Sequence, residues 1–338
     1  MKKLLLGLFF GIVSLFAVAQ KPYVSKTFRG GQYNSLEITS AGGKITVKGT
    51  SNPEITVDVF VSGNNYTQPL STSEINRRME NYTLEIRQLG SEIICAAKRV
   101  KDLQNWKEGL NFVFEVKTPY RVNTRLKTSA GAIFVQDLEG KTDIQSSGGS
   151  LTLRGIKGQT RGITSGGAIY AEGLRDQIDL STSGGSIQAT HISGQTKLQT
   201  SGGSINLSDI QGDLVAVTAG GSIRAKETNG QIDLKTSGGA IILDDIQGAV
   251  KAQTSAGSIT ADLVKINGPV HLATSAGGVT VTLPKQTGMD LDVSGMKIQA
   301  NLEGDFEGKK ANNHLIGKVR GGGQPVKIST AAGSVRLL

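Results

Sequence analysis

The residues of this 338-residue chain that could do chemistry are few and far apart. It has three histidines, His191, His271 and His314, and one cysteine, Cys95. A zinc or iron–sulfur site needs a cluster of such ligands, and one cysteine cannot form an internal disulfide bond. No histidine has an acid–base partner at a recognisable spacing, so we interpret all three as exposed surface residues. The sequence therefore predicts no metal, no cofactor and no catalytic residue.

Other patterns that carry chemistry are also missing. Cys95 lies in the apolar run Ile93–Ala97, which predicts a buried and unreactive thiol. The paired glycines resemble a calcium-binding β-roll, but units such as Ser183–Ile187 lack the third glycine and the aspartate of that motif. No Gly-Lys-Ser/Thr group opens a helix, which excludes a phosphate loop. A glycosidase would need a pair of carboxylates. The carboxylates of the repeats alternate with cations at an 18-residue spacing, which we interpret as a structural ladder of salt bridges rather than a catalytic pair.

The dominant feature of the sequence is an 18-residue repeat. A Ser-Gly-Gly or Ser-Ala-Gly group, followed by a small and then an aliphatic residue, recurs at this step, and a ninth copy begins at Ser275 after a step of 20. The two extra residues are expected within Leu263–Ile266. The evenly spaced copies begin at Ser129, Ser147, Ser165, Ser183, Ser201, Ala219, Ser237 and Ser255. Echoes of the group occur at Ala41–Ile45 and Ala331–Val335.

Glycine marks two corners in each unit. At a corner the chain needs a positive φ or a close approach of two backbones, and glycine permits both. The glycines that we assign to the structural turns of the first corner are Gly149, Gly167, Gly185, Gly203, Gly221 and Gly239. The second corner lies half a period away and contains Gly140, Gly158, Gly194, Gly212, Gly230 and Gly248, with Asp176 interrupting the column.

Between the corners the residues alternate with a period of two, which is typical of β-strands. Two aliphatic columns begin at Ile133 and Val135 and recur every 18 residues, so both are expected to face inward. A threonine column precedes the first corner, where hydroxyls would bond to one another or to corner backbone groups: Thr164, Thr182, Thr200, Thr218, Thr236, Thr254 and Thr274. An outward column predicts a ladder of salt bridges: Asp143, Arg161, Asp179, Lys197, Val215, Asp233 and Lys251.

The first residues are typical of a secretory signal peptide. Lys2 and Lys3 precede an apolar run, Leu4–Val18, and a small-residue ending that predicts cleavage between Ala19 and Gln20. The run is too short to span a membrane, and no second run follows, so no transmembrane segment is expected in the mature chain. The protein is therefore predicted to be exported to the periplasm, to the cell surface or out of the cell.

The segments on either side of the repeats are expected to cap them. A solenoid exposes a strand edge at each end, which invites aggregation unless it is covered. Residues 20–128 have 16 Lys and Arg and 10 Asp and Glu, and they read as strands with one helix near 73–81 that begins at a capping box, Ser71–Glu74. The domain prediction is a signal peptide (1–19), a β-rich N-terminal cap (20–128), 18-residue solenoid repeats (129–284), and C-terminal coils with a short cap (285–338).

The sequence resembles the bacterial putative-adhesin family of exported β-strand-repeat proteins, a domain of unknown function. The resemblance is carried by the lead-in Phe114–Pro119, by Leu126–Ile133, and by serial units such as Ser183–Ile187, and it covers most of the mature chain. It implies a β-solenoid on the cell surface or in the envelope, with adhesion suggested by the family's name. It implies no catalytic residue.

These observations predict an all-β protein with a β-solenoid of 18-residue coils, of the β-helix or β-roll kind. We expect an exported, non-enzymatic, adhesin-like or scaffold module of the bacterial cell envelope, without a cofactor. The alternative is a glycan-binding or polysaccharide-active β-helix protein that uses an outward face containing Arg154, Tyr170 and Glu172. A partner would be an anionic envelope polymer, which the basic N-terminal flank would attract, or a surface glycan or protein. Nucleic acid is not expected, because an exported protein rarely meets it.

Overall fold

The computed structural model describes residues 21–64, 69–103, 105–302 and 306–338. The expected signal peptide and its cleavage point at Ala19 and Gln20 lie outside these residues. The described chain is mostly β, as predicted, with a single α-helix, Thr72–Met79 (α1), and a 3-10 helix, Trp106–Glu108. None of its helices combines the length and apolar character needed to cross a membrane.

The strands fall into three groups along the chain. Those before the repeats are Val24–Phe28 (β1), Ser35–Ser40 (β2), Ile45–Thr50 (β3), Ile55–Gly63 (β4), Tyr82–Leu89 (β5), Glu92–Arg99 (β6), Leu110–Pro119 (β7) and Asn123–Thr128 (β8). Those of the repeats are Ile133–Glu139 (β9), Thr142–Ser146 (β10), Leu151–Thr164 (β11), Ile169–Glu172 (β12), Arg175–Thr182 (β13), Ile187–Thr200 (β14), Ile205–Gln211 (β15), Leu214–Thr218 (β16), Ile223–Lys235 (β17), Ile241–Thr254 (β18), Ile259–Thr274 (β19) and Val279–Thr282 (β20). The remaining strands are Met289–Ser294 (β21), Lys297–Ala300 (β22), Phe306–Lys310 (β23), His314–Val319 (β24), Gln324–Thr330 (β25) and Ser334–Leu337 (β26).

Successive repeats pair in parallel, each 18 residues beyond the last. Ile187 lies opposite Ile169 and Ile205, and Thr200 lies opposite Thr182 and Thr218. Two stacks of strands result, one from the start of each unit and one from its end. Because side chains alternate between the faces of a strand, equivalent residues of every unit form straight columns along the molecule.

The core consists of the inward columns predicted from the sequence. The column that begins at Ile133 and the one that begins at Val135 are at most 4% exposed through to Ile259 and Ala261. Parallel sheets need apolar residues on the covered face, and the aliphatic repeat supplies them at each rung. The larger core rings, Phe112 and Phe114, lie in β7 before the repeats.

The ends of the two stacks are closed by segments whose order in space differs from their order in the chain. β2 and β3 pair with β8 and β9 on one side and with β6 and β7 on the other. At the other end, β25 and β26 pair with β19 and β20, and the earlier strands β21 and β22 stack beyond them. The two sequence echoes therefore form the coils directly next to the array.

Antiparallel strands complete both ends. β4 pairs with β7, β1 with β4, and β5 with β6, while β24 pairs with β21 and β23 with β24. These hairpin-like additions cover the outer edges of β6, β7 and β21, which a parallel stack would otherwise leave open. The domain boundaries themselves remain predictions.

Two details differ from the expectations. The helix occupies Thr72–Met79 rather than 73–81, and it begins at the predicted cap, where Ser71 accepts a hydrogen bond from the Glu74 backbone. The extra residues of the ninth unit were placed within Leu263–Ile266, and this was wrong. The register is irregular there, but Gly248 still pairs with Ile266 at a step of 18, and Val250 pairs with Val270 at a step of 20. The two residues are therefore absorbed between Ile266 and Val270.

Candidate functional site

The six glycines assigned to structural turns all lie in bends at the first corner, which we define as the Ser-Gly/Ala-Gly group of each unit. They do not have a positive φ. Each is needed because two backbones approach closely: a Cβ added at Gly203 would collide with the carbonyl group of Gly185, one coil earlier, and the same collision recurs along the column. Close backbone approach, one of the two reasons expected for glycine here, is therefore the reason that applies.

The threonine column holds this corner together. Thr200 Oγ1 donates to the carbonyl oxygen of Gly185 at 2.8 Å and accepts from the backbone N–H of Gly203 at 3.2 Å. The same pair of bonds recurs at each threonine of the column, and Ser146 makes it at the start of the array. Of the two arrangements expected, the hydroxyls thus bond to corner backbone groups. Each hydroxyl links one coil to the next.

The second corner contains a column that sequence reasoning missed. One residue in each of the first seven units has a left-handed backbone, and the second-corner glycine, or Asp176 in one unit, follows three residues later. These left-handed residues are Asp137, Gly155, Gly173, His191, Asp209, Glu227 and Asp245, with φ between 50° and 67°. We define the second corner as the four residues from this position to the positive-φ glycine. Asp176 occupies the glycine position with φ 84°, so the break in the glycine column is not a break in conformation.

A sequence signal for this column existed. Aspartate, histidine and glycine are enriched among residues with positive φ, and here they recur at an 18-residue step. The signal was weak because the column also contains glutamate and because its members share no chemical function.

Two consecutive members of the column, Gly155 and Gly173, have no side chain, and the surface is concave there. A cavity of about 490 Å³ lies at this place, and Tyr120, Glu139, Lys157 and Arg175 contribute to its lining. A second cavity of about 210 Å³ lies on the neighbouring strand face.

The second cavity is lined by the face residues named in the sequence analysis. Arg154 Nε lies 3.2 Å from Glu172 Oε2, and Tyr170 is 49% exposed. The structure thus brings Arg154, Tyr170 and Glu172 together on adjacent rungs.

The predicted ladder of charges is in register but forms few close pairs. Lys251 Nζ lies 3.3 Å from Asp233 Oδ2, and this is the one pair within the predicted column that comes within 4 Å in the described chain. Both side chains are about half exposed, so water screens the pair. The alternation of charge along the column is consistent with a structural role, but the column contains fewer close ion pairs than expected.

The arginines of the basic N-terminal flank are paired with carboxylates. Hydrogen bonds from Arg77 and Arg78 lower the pKa of Glu74 to about 2. Further ion pairs join Arg87 with Glu85, Arg121 with Glu139, and Arg125 with Glu37. The cations of this flank are therefore interleaved with carboxylates, which reduces its attraction for an anionic polymer.

The single cysteine agrees with its prediction. Cys95 is fully buried, and desolvation raises the pKa of its thiol to about 12. A thiol is the unreactive form, so this side chain behaves as a small apolar core residue.

The histidines differ in part from the expectation of exposed residues without partners. His191 is exposed, but its Nε2 lies 3.8 Å from Asp209 Oδ2 on the next rung, and His314 Nε2 lies 3.2 Å from Asp292 Oδ1. His271 is half-buried. The first pair follows from stacking in register, because residues 18 apart become neighbours, and the second joins the antiparallel strands β21 and β24. Among the described residues, no group of three or more His, Cys, Asp or Glu side chains is arranged to hold a metal ion.

Comparison with known proteins identifies the family of this chain. No curated protein matches the chain. A structural match is the crystal structure of "a putative cell adhesion protein from Clostridium sporogenes ATCC 15579", with 10% sequence identity, coverage of 94% of this chain and 99% of that chain, and a TM-score of 0.21. The family described as Toastrack DUF4097, a domain of unknown function, matches residues 170–338, which is half of the sequence. The chain belongs to the Toastrack DUF4097 family.

Proposed function

We propose that this protein is an exported, non-enzymatic β-solenoid that acts as an adhesin-like or scaffold module of the bacterial cell envelope. The proposal combines the secretory pattern of residues 1–19 with the stacked coils of the described chain. Its mature part presents a long, regular surface.

The observation that carries the proposal is the unbroken series of parallel strand pairings. In the stack formed by the strands at the start of each unit, twelve successive parallel pairings lead from β7 to β22. At about 4.8 Å per pairing, this stack extends over roughly 55–60 Å. A rigid scaffold of this kind holds outward side chains at fixed intervals, which suits the binding of an extended partner or the spacing of other envelope components.

The coils also explain why we favour display over catalysis. Nearly every unit is 18 residues long, so each corner is a short turn, and long loops of the kind that build an active-site cleft do not interrupt the array. Function on such a scaffold depends on the outward columns.

The location of the mature chain tests the proposal. A tagged protein is expressed in its own host, the cells are fractionated, and whole cells are treated with protease. Protease-sensitive protein on intact cells supports the adhesin-like role, and protected protein in the periplasm supports the envelope scaffold. Recovery in the cytoplasm with residues 1–19 still attached would overturn the proposal of export. Hydrolysis of envelope or plant polysaccharides at an enzymatic rate by the purified mature chain would overturn the non-enzymatic role.

A further inference from the structure

The glycines at two rungs of the second corner are not required by the backbone. Gly155 and Gly173 have φ of 59° and 67°, and the same column accepts aspartate, histidine or glutamate at φ between 50° and 56°. A Cβ at Gly173 would meet only Gly155 backbone atoms at 3.7 and 3.8 Å, which is ordinary contact. The absence of side chains at these two positions leaves the larger cavity open.

The aromatic residues of the repeats lie close to this part of the surface. Residues 129–284 contain two aromatic side chains, Phe134 and Tyr170. Both lie in one outward column, with Thr152 between them in register, so they are about 10 Å apart along the stack. The aliphatic core does not use them. Tyr170 lines the smaller cavity and Tyr120, which is 45% exposed, lines the larger one, while Phe134 lines neither.

The two cavities adjoin. Arg154 and Glu172, which line the smaller one, directly precede Gly155 and Gly173, which line the larger one. We call the combined surface the corner cleft and define it by Tyr120, Arg154, Gly155, Tyr170, Glu172 and Gly173.

The charges on the corner cleft balance. Three carboxylates and three cations line the two cavities: Asp137, Glu139, Glu172, Arg154, Lys157 and Arg175. An anionic ligand would favour an excess of cations, and a nucleic acid would require one. A balanced set of donors and acceptors beside exposed aromatic rings instead suits an uncharged ligand that has many hydroxyl groups and an apolar face.

We propose that the corner cleft binds an uncharged oligosaccharide. Sugar rings stack their C–H face on aromatic side chains, and their hydroxyls donate to carboxylates and accept from guanidinium groups. Concave sites with a few fixed polar groups are the usual form of small-ligand sites. The Arg154–Glu172 pair holds these groups in place beside Tyr170. The proposal deepens the adhesin-like function and rests on it, because it gives the displayed surface a ligand class.

A glycan array tests the cleft. Purified mature protein is applied to immobilised neutral oligosaccharides (β-1,4-linked glucose and N-acetylglucosamine oligomers, α-glucans and mannans) and to uronic acid oligomers as the anionic arm. We expect binding to at least one neutral chain. Tyr170→Ala and Gly173→Asp should each raise the apparent Kd for that oligosaccharide by about tenfold or more. Gly173→Asp places a residue that the column accepts elsewhere into the opening, so the melting temperature should stay near that of the wild type.

Two variants serve as matched controls. Gly90 is also a left-handed glycine, with φ 60° and no atom within 4 Å of an added Cβ, so Gly90→Asp makes the same change far from the cleft in sequence. Asn206→Ala removes a side chain from the column of Tyr170, two rungs further on. Both should bind as the wild type does.

Three outcomes would overturn the proposal: no binding to any neutral chain, binding to the uronic acid oligomers alone, or wild-type affinity in Gly173→Asp. These outcomes are distinct from failure of the proposed function. A protein that is found on the cell surface but does not bind the neutral chains would lose the cleft's role and keep its role in display.

Discussion

The two corners of each coil differ in which side chains they tolerate. At the first corner, the second glycine of the group packs against the backbone of the preceding coil, and a Cβ at Gly203 would collide with Gly185. At the second corner, the left-handed position holds Asp209 in one unit and Glu227 in the next, each with its side chain accommodated. The second glycine of the first corner is thus constrained by the preceding coil, and the left-handed position of the second corner mainly by its own backbone.

This difference separates the structural part of the repeat from the part that can vary. A contact between backbones recurs at each coil, so a substitution at the first corner disturbs the stacking itself. The left-handed position faces outward enough for charged residues, and its identity changes from unit to unit. Variation at the second corner can therefore shape a binding surface without loss of the fold, which is what the corner cleft requires.

The largest effect is expected at the first corner. Gly203→Val should destabilise the protein by more than about 3 kcal/mol, because the added atoms meet backbone that cannot move without separating two coils. Urea denaturation followed by circular dichroism would measure it.

The neighbouring glycine is the matched control for this variant. A Cβ at Gly202 would lie 3.6 Å from its nearest atom, the carbonyl oxygen of Gly184, and Ala130, Ala256 and Ala276 stand at the same position in other units. Gly202→Ala should be neutral, or stabilising by up to about 1 kcal/mol, because alanine reduces the freedom of the unfolded chain. Equal losses from both variants would mean that the first corner is not a backbone contact.

A smaller loss is expected at the glycine of the second corner. Gly212 has φ 117°, and an added Cβ would lie 2.5 Å from the carbonyl oxygen of Gly194. Gly212→Ala should cost about 2–3 kcal/mol, since both strain and contact oppose it. Asp176→Gly, which makes the reverse change in the same column, should be neutral or stabilising. Thermal unfolding of the two variants checks the sign of each, and a clear loss in Asp176→Gly would contradict the strain argument.

Most of the fold could be predicted because the sequence contains eight evenly spaced copies of the same unit, so each structural position occurs several times. The inward columns starting at Ile133 and Val135, and the threonine column, recur so regularly that chance substitutions at single positions do not hide them. The terminal coils were harder, because nothing local specifies that β25 stacks between β19 and β21, or that β26 stacks between β20 and β22. Such pairings join segments that are distant in the chain and depend on which edges remain free.

The candidate site was predictable only in part. Arg154, Tyr170 and Glu172 could be placed on one face, because strand parity decides which residues point outward. The larger cavity could not be predicted from the sequence, because it is open where Gly155 and Gly173 have no side chains. Gly155 and Gly173 become informative only once their column is known to accept larger residues, and that knowledge came from the backbone angles.

An intermediate effect is expected from the hydroxyl that supports the first corner. Thr200→Val removes the bond to Gly185 and leaves the Gly203 N–H without its acceptor, at a cost of about 1–3 kcal/mol. Thr200→Ser should retain most of the stability, because Ser146 makes the same two bonds naturally. Melting temperatures of the two variants would show the difference. If valine and serine behaved alike, the hydroxyl would not be what joins the coils.

The smallest effect is expected at the left-handed position. Asp209→Gly relieves the strain of a side chain at φ 53°, and it also increases the freedom of the unfolded chain. Since these contributions oppose each other, stability should change by less than about 0.5 kcal/mol, as the natural glycines at 155 and 173 indicate. Urea denaturation of Asp209→Gly and Gly203→Val in parallel would compare the two changes in the free energy of unfolding. A loss comparable to that of Gly203→Val would place both corners under the same backbone constraint and would remove the basis for treating the second corner as the variable surface of the repeat.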